Sequence, residues 1–133
     1  MKRIHLSIAL AFFALVSFCP GATAQEATEQ IYTEVDELPQ FPGGNEAMYQ
    51  WLFNNIRYPA AAAENGIDGR VVVKFVVEPS GMITNVEIVN SVDPDIDAEA
   101  KRVVRRMPKW IPGKNKGKPV RSYFIMPVTF KLS

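Results

Sequence analysis

Three acidic residues at alternate positions, Asp93, Asp95 and Asp97, have the spacing with which a calcium-binding loop begins. Such a loop also needs glycine at its sixth position and a bidentate glutamate at its twelfth, and those positions hold Ala98 and Val104. Asp93 is followed by proline, a pair typical of a helix N-cap and the first helical position. The three carboxylates therefore predict the start of a helix and not a metal site.

Two glycine-rich stretches, 42–44 and 113–118, are the segments that could cradle a phosphate. Neither has the spacing G-x-x-x-x-G-K-[ST], since Lys118 is followed by Pro119. Paired carboxylates for glycoside hydrolysis are the remaining catalytic option, but the acidic residues lie in turn, cap and strand-face positions. We therefore expect no enzyme, no cofactor and no small-molecule substrate.

The N-terminus, Met1–Ala24, has the pattern of a secretory signal peptide, with two basic residues, an apolar run and an Ala-Thr-Ala cleavage site. The apolar run is shorter than the roughly 20 residues that span a bilayer. An inner-membrane anchor facing the periplasm and a lipoprotein signal ending at Cys19 are the alternatives. Cleavage after Ala24 removes the only cysteine and the only histidine, His5, and with them thiol, imidazole and soft metal-ligand chemistry.

Charge is segregated along the exported chain. Residues 25–99 hold all fourteen acidic residues and three basic ones, whereas residues 100–133 hold ten basic residues and no acidic one. A basic third of a chain could bind nucleic acid, but export argues against that partner. Two interpretations remain, namely a fold that pairs its acidic and basic parts and a basic surface that attracts an acidic partner.

Hydrophobic periodicity predicts the elements that position these residues. A helix over Asn45–Ile56, with Asn45 as its N-cap, precedes a short helix over 60–64. Period-two alternation predicts strands over Arg70–Glu78 and Met82–Asn90, joined by a tight Pro-Ser-Gly turn into a β-hairpin. Asp93 then opens a third helix with a buried stripe of Ile96, Ala100, Val103, Val104 and Met107.

The last predicted element is a strand over Val120–Leu132, which follows a lysine-rich loop over Lys109–Pro119. Pro127 lies in the middle of that strand, and proline cannot donate a ladder hydrogen bond, so we expect it on an edge strand or beside a bulge. We expect this strand to be open to another chain. With a short strand over Ile31–Glu37 the order becomes (β)-α-α-β-β-α-β. The fold class is α+β, a small three-stranded antiparallel sheet with helices packed on one face. We expect a signal peptide over 1–24, a flexible mature N-terminus over 25–34 and a domain over 35–133.

An ordered set of short motifs runs through the domain: Tyr58-Pro59, Gly69-x-Val71-x-Val73-x-Phe75-x-Val77, Pro79-Ser80-Gly81-x-Ile83-x-x-Val86, Ala100, Trp110-x-Pro112-Gly113 and Phe130-Lys131-Leu132. In this order and spacing they resemble the C-terminal domain of TonB, the periplasmic energy transducer of Gram-negative bacteria. The preceding stretch over 35–55, with Phe-Pro-Gly-Gly, is similar to the extension that Bacteroidetes versions of the domain often carry.

The resemblance implies a periplasmic protein-interaction domain that catalyses nothing and binds no cofactor. It implies binding of the TonB box of outer-membrane TonB-dependent transporters by β-strand addition, as part of energy-coupled nutrient import, with the inner-membrane proton-channel complex as a further partner. The family's docking strand corresponds here to Val120, Arg121, Ser122, Tyr123, Phe124, Ile125, Met126, Val128, Thr129, Phe130 and Lys131.

Two alternatives without energy transduction remain open, because no long proline- and lysine-rich linker lies between Gln25 and the domain. One is a soluble periplasmic adaptor. The other is a self-associating structural protein, a homodimer in which the last strand pairs with a second copy of itself across a two-fold axis.

Overall fold

The computed structural model describes residues 30–132. The predicted signal peptide lies outside the described residues, as do residues 25–29 of the predicted flexible N-terminus. Within the described range no helix has the length and the apolar character needed to cross a bilayer.

The elements follow one another in the order α-α-β-β-α-β-β-β. Their bounds are α1 Gly44–Asn55, α2 Ala60–Glu64, β1 Gly69–Val77, β2 Ile83–Asn90, α3 Pro94–Arg105, β3 Lys114–Asn115, β4 Lys118–Pro119 and β5 Ser122–Phe130. The α+β fold class with a three-stranded antiparallel sheet and helices is thereby confirmed.

The main sheet has the strand order β2-β1-β5, with β1 in the centre and antiparallel to both neighbours. The ladder between β1 and β5 runs without a register shift from Gly69 opposite Phe130 to Val77 opposite Ser122. The ladder between β1 and β2 is interrupted by two shifts. An uninterrupted ladder holds β5 straight along β1, so the outward-facing groups of β5 recur at every second residue.

The core lies between one face of this sheet and the helices. On α3 the buried residues are four of the five in the predicted stripe: Ile96, Ala100, Val103 and Val104. Asp93 caps this helix as predicted, since its carboxylate accepts hydrogen bonds from the backbone N–H groups of Asp95 and Ile96 at 3.0 and 3.2 Å. The alternating carboxylates thus have a structural role at the helix start.

Trp110 is buried in the crossover from α3 to β5. Its ring makes edge-on contacts with Phe41, Phe75 and Phe124 at centroid distances of 4.9 to 5.8 Å. Its backbone N–H also donates to the carbonyl of Gly81 at 2.9 Å. A Cβ on Gly81 would lie 2.2 Å from the Trp110 carbonyl oxygen, so the turn between β1 and β2 requires glycine there.

Three local predictions need correction. The segment Ile31–Glu37 does not form a strand, because Tyr32 bridges to Ser122 while Glu37 bridges to Lys114, and the backbone bends between these separate partners. The predicted loop after α3 contains the small hairpin β3-β4. The predicted N-cap Asn45 is wrong, because the N-cap of α1 is Gly43, two residues earlier, and no side chain caps the helix.

Candidate functional site

Strand β5 forms one edge of the main sheet, as Pro127 predicts. On its outer side the only backbone partner among the described residues is Tyr32, at the beginning of the strand. The N–H of Tyr123 donates to the Tyr32 carbonyl at 3.0 Å, and the N–H of Tyr32 donates to the Arg121 carbonyl at 2.9 Å. Both bonds point away from β1, and they identify the residues whose backbone groups face outward.

Backbone direction alternates along a regular strand, so the odd-numbered residues of β5 share the outward orientation of Tyr123. Beyond Tyr123 these are Ile125, Pro127 and Thr129. Pro127 has no N–H, and its missing donor therefore falls on the outer edge instead of in the ladder with β1. The outer edge from Phe124 to Phe130 consequently offers two N–H donors, those of Ile125 and Thr129, and three carbonyl acceptors.

The side chains of β5 are divided between the two faces of the sheet. The buried members Ser122, Met126, Val128 and Phe130 alternate with residues directed to the opposite face, of which Ile125, Pro127 and Thr129 are exposed. Tyr123 is half-buried on that opposite face, where the ammonium of Lys74 lies 4.2 Å from its ring centroid. Val120 and Lys131 belong to the predicted docking segment but lie just outside the strand as observed.

An ion pair ties the start of β5 to the end of β1. The Arg121 guanidinium donates to the Glu78 carboxylate from Nε at 2.8 Å and from an Nη at 3.0 Å, and the Thr84 hydroxyl donates to the same carboxylate at 2.6 Å. Burial raises the pKa of Glu78, but the hydrogen bonds from Arg121 and Thr84 outweigh it and hold the pKa below its usual value. The carboxylate is therefore ionised in the folded protein and fixes the position of Arg121.

A groove lies beside the far half of the same edge. It has a volume of about 320 Å³ and is lined by Tyr49, Leu52, Phe53, Ile56, Arg70, Pro127, Val128 and Thr129. The α1 residues Tyr49 and Phe53 are exposed, Phe53 to 82%. Neither aromatic residue was predicted from the sequence to belong to a binding site. Tyr49 and Phe53 are four residues apart, so they lie on one face of the helix, next to the buried residues Met48 and Leu52. Two large aromatic residues on an exposed helix face were the signal that the sequence offered.

The site offers backbone hydrogen-bonding groups and apolar side chains, and no cluster of potential metal ligands occurs between residues 30 and 132. The fold and this edge define a small α+β interaction domain with an open strand. Residues 54–132 match the family described as the Gram-negative bacterial TonB protein C-terminal, and the chain belongs to that family. The family is not enzymatic, and its periplasmic domain serves energy transduction to outer-membrane receptors.

One solved structure agrees on the fold. The NMR solution structure of the Helicobacter pylori TonB-CTD, residues 179–285, is 21% identical, with a TM-score of 0.52 and coverage of 69% of this chain and 87% of that chain. The NMR structure of its residues 194–285 is 19% identical, with a TM-score of 0.49 and coverage of 65% and 90%. No curated protein matches the chain significantly.

Proposed function

We propose that this chain binds the TonB box of TonB-dependent outer-membrane transporters by adding the peptide as a strand to the outer edge of β5, within energy-coupled import. Membership of the TonB C-terminal family supports the class of partner. The observation that carries the mode of binding is the uncovered edge, where the N–H groups of Ile125 and Thr129 lie beyond the reach of β1.

Backbone pairing suits this edge because an extended peptide supplies both donors and acceptors at the same 2-residue repeat. Pairing along Phe124–Phe130 uses the two N–H donors and the outward carbonyls, including that of Pro127. Each such bond contributes about 0.5–1.5 kcal/mol net. Backbone bonds alone therefore give modest affinity, and the side chains of the peptide supply the remainder and the selectivity.

The residues outside the strand have supporting roles in this proposal. Arg121 holds the start of β5 against β1 through Glu78, and Tyr32 covers the backbone groups at Arg121 and Tyr123. The peptide is therefore placed on the second half of the strand, past Tyr32. Val120 and Lys131 flank the paired segment, and the Lys131 side chain is exposed next to its end.

The proposal is tested by titrating synthetic TonB-box peptides, taken from transporters encoded in the same genome, into isotopically labelled protein. We expect amide chemical-shift changes and slowed hydrogen exchange at Ile125 and Thr129, with small changes on β2 at the opposite edge. A composition-matched scrambled peptide is the control. If saturating peptide leaves the β5 amides unchanged, strand addition at this edge is wrong.

A further inference from the structure

The groove between α1 and β5 contains side chains that backbone pairing does not use. Phe53 is the most exposed large apolar side chain in the described part of the chain, and Tyr49, one helical turn earlier, is 54% exposed. Both line a groove whose other wall is Pro127–Thr129 of the open edge. The family match begins at residue 54, so these two aromatic residues precede it.

We propose that this groove selects the docked peptide by receiving one of its bulky apolar side chains, while Arg70 binds a carboxylate on the same peptide. The inference rests on the proposed function, because it needs an extended peptide on the outer edge of β5. It adds a specificity-determining surface made by α1, and it defines the ligand as an extended peptide that combines an apolar and an acidic residue.

The geometry of strand addition brings a side chain to this groove. Side chains of an added strand alternate between the two faces of the sheet, in line with those of β5. Val128 is buried on the helix-covered face, and it lines the groove together with Leu52 of α1. A peptide side chain on that same face therefore enters the space bounded by Leu52, Val128 and Phe53, and it buries aromatic surface that is otherwise in water.

Charge identifies the second feature of the ligand. Arg70 is the only charged residue among the eight that line the groove. It is exposed, and the two ion pairs formed within residues 30–132 do not include it. An arginine among the residues that line an otherwise uncharged groove favours a carboxylate on the ligand, with bidentate hydrogen bonding as the strongest form.

A second copy of the chain is a poorer fit to this surface. Two β5 strands paired antiparallel about a two-fold axis would each present Pro127 to the interface, so two ladder donors would be missing. A single peptide with its own N–H groups meets only one missing donor, that of Pro127.

The test is a set of double-mutant cycles between protein and peptide, measured by calorimetry on the full exported chain. Synthetic TonB-box peptides are compared with versions in which one apolar residue is alanine or one acidic residue is its amide. The protein variants are Phe53→Ala and Arg70→Gln. Leu38→Ala is the matched control, because Leu38 is also an exposed apolar residue but lies outside the groove.

We expect Phe53→Ala to weaken binding of the parent peptide about tenfold. The same variant should hardly affect binding of the alanine peptide, because that peptide has already lost the side chain that contacts Phe53. Arg70→Gln should likewise weaken binding of the parent peptide but hardly affect the peptide whose acidic residue is replaced by its amide. Leu38→Ala should bind like the wild type. Phe53 is so exposed that its truncation leaves the fold intact, which an unchanged amide spectrum will verify.

The outcomes separate this inference from the proposed function. Edge amides that respond to peptide while Phe53→Ala and Arg70→Gln bind like wild type overturn the groove and leave strand addition standing. Edge amides that do not respond overturn both. Concentration-dependent dimerisation that Phe53→Ala abolishes, with no peptide dependence, assigns the groove to a second copy and also overturns the proposal.

Discussion

Replacing Ile125 by proline tests the register of the open edge most directly. The backbone N–H of Ile125 points away from β1, so proline there removes one of the two free N–H donors of β5 without removing a hydrogen bond to β1. Pro127 already occupies the same outward register two residues later. We therefore expect Ile125→Pro to fold but to bind peptide poorly.

The size of the effect follows from the bond that is lost. One hydrogen bond contributes about 0.5–1.5 kcal/mol net. The proline ring also occupies space that an added strand needs at a spacing of about 4.8 Å. Together they predict roughly tenfold weaker binding, equivalent to about 1.4 kcal/mol. Ile125→Val keeps the N–H group and most of the side chain, and it should bind within about twofold of the wild type.

A second proline separates the register from a general effect on the strand. Met126 is buried and its N–H faces β1, opposite Val73. Met126→Pro should therefore destabilise the fold by about 3 kcal/mol or more. Calorimetric titration and urea unfolding of the three variants provide both measurements. Wild-type affinity in a folded Ile125→Pro protein, or equal destabilisation by the two prolines, would refute the assigned register.

Three further predictions concern the framework around this edge. Gly81→Ala should lower the free energy of urea unfolding by roughly 2–4 kcal/mol, because its Cβ would lie 2.2 Å from the Trp110 carbonyl oxygen and φ is +91°. Gly117→Ala is the control, since that residue also has a positive φ but open space around it, and it should cost about 1–2 kcal/mol. Asp93→Ala should lower the free energy of unfolding by about 1 kcal/mol, because two N–H groups of α3 lose their cap. An unchanged free energy of unfolding would show that the cap does not stabilise the fold. The pKa of Glu78 is lowered by folding, so its stabilising effect is full above its usual pKa of 4.5 and is lost as the pH falls through the lower folded value; Glu78→Gln should flatten the acid limb of unfolding free energy against pH, and an unchanged limb would contradict this.

Elements with strong local signals could be predicted from the sequence. The alternation over β1, the Pro-Ser-Gly turn after it and the Asp-Pro start of α3 each have a local physical cause, and the structure places all three within a residue or two of the prediction. The prediction of a strand over Ile31–Glu37 was wrong because the backbone partners of this segment lie far along the chain. Tyr32 and Glu37 look like members of one strand, but they pair with separate segments about 80–90 residues away.

The candidate site was predictable in part for the same reason. Pro127 marks β5 as an edge strand because a missing N–H is tolerated only where no ladder bond is needed. The register between β5 and β1 decides which backbone groups of β5 face outward. The central position of β1 depends in turn on how all three strands pack. The wall supplied by Tyr49 and Phe53 depends on where α1 lies beside the sheet, which helix periodicity does not specify.

The sequence by itself determined the three helices, the three long strands, their order and the presence of an edge strand, because propensity, capping and the absence of a proline N–H act within a few residues. Only the tertiary structure decided which two N–H groups remain open, how far Tyr32 covers the strand and which aromatic residues line it. Those properties arise from contacts between segments distant along the chain, and such contacts are set by the packing of the whole core.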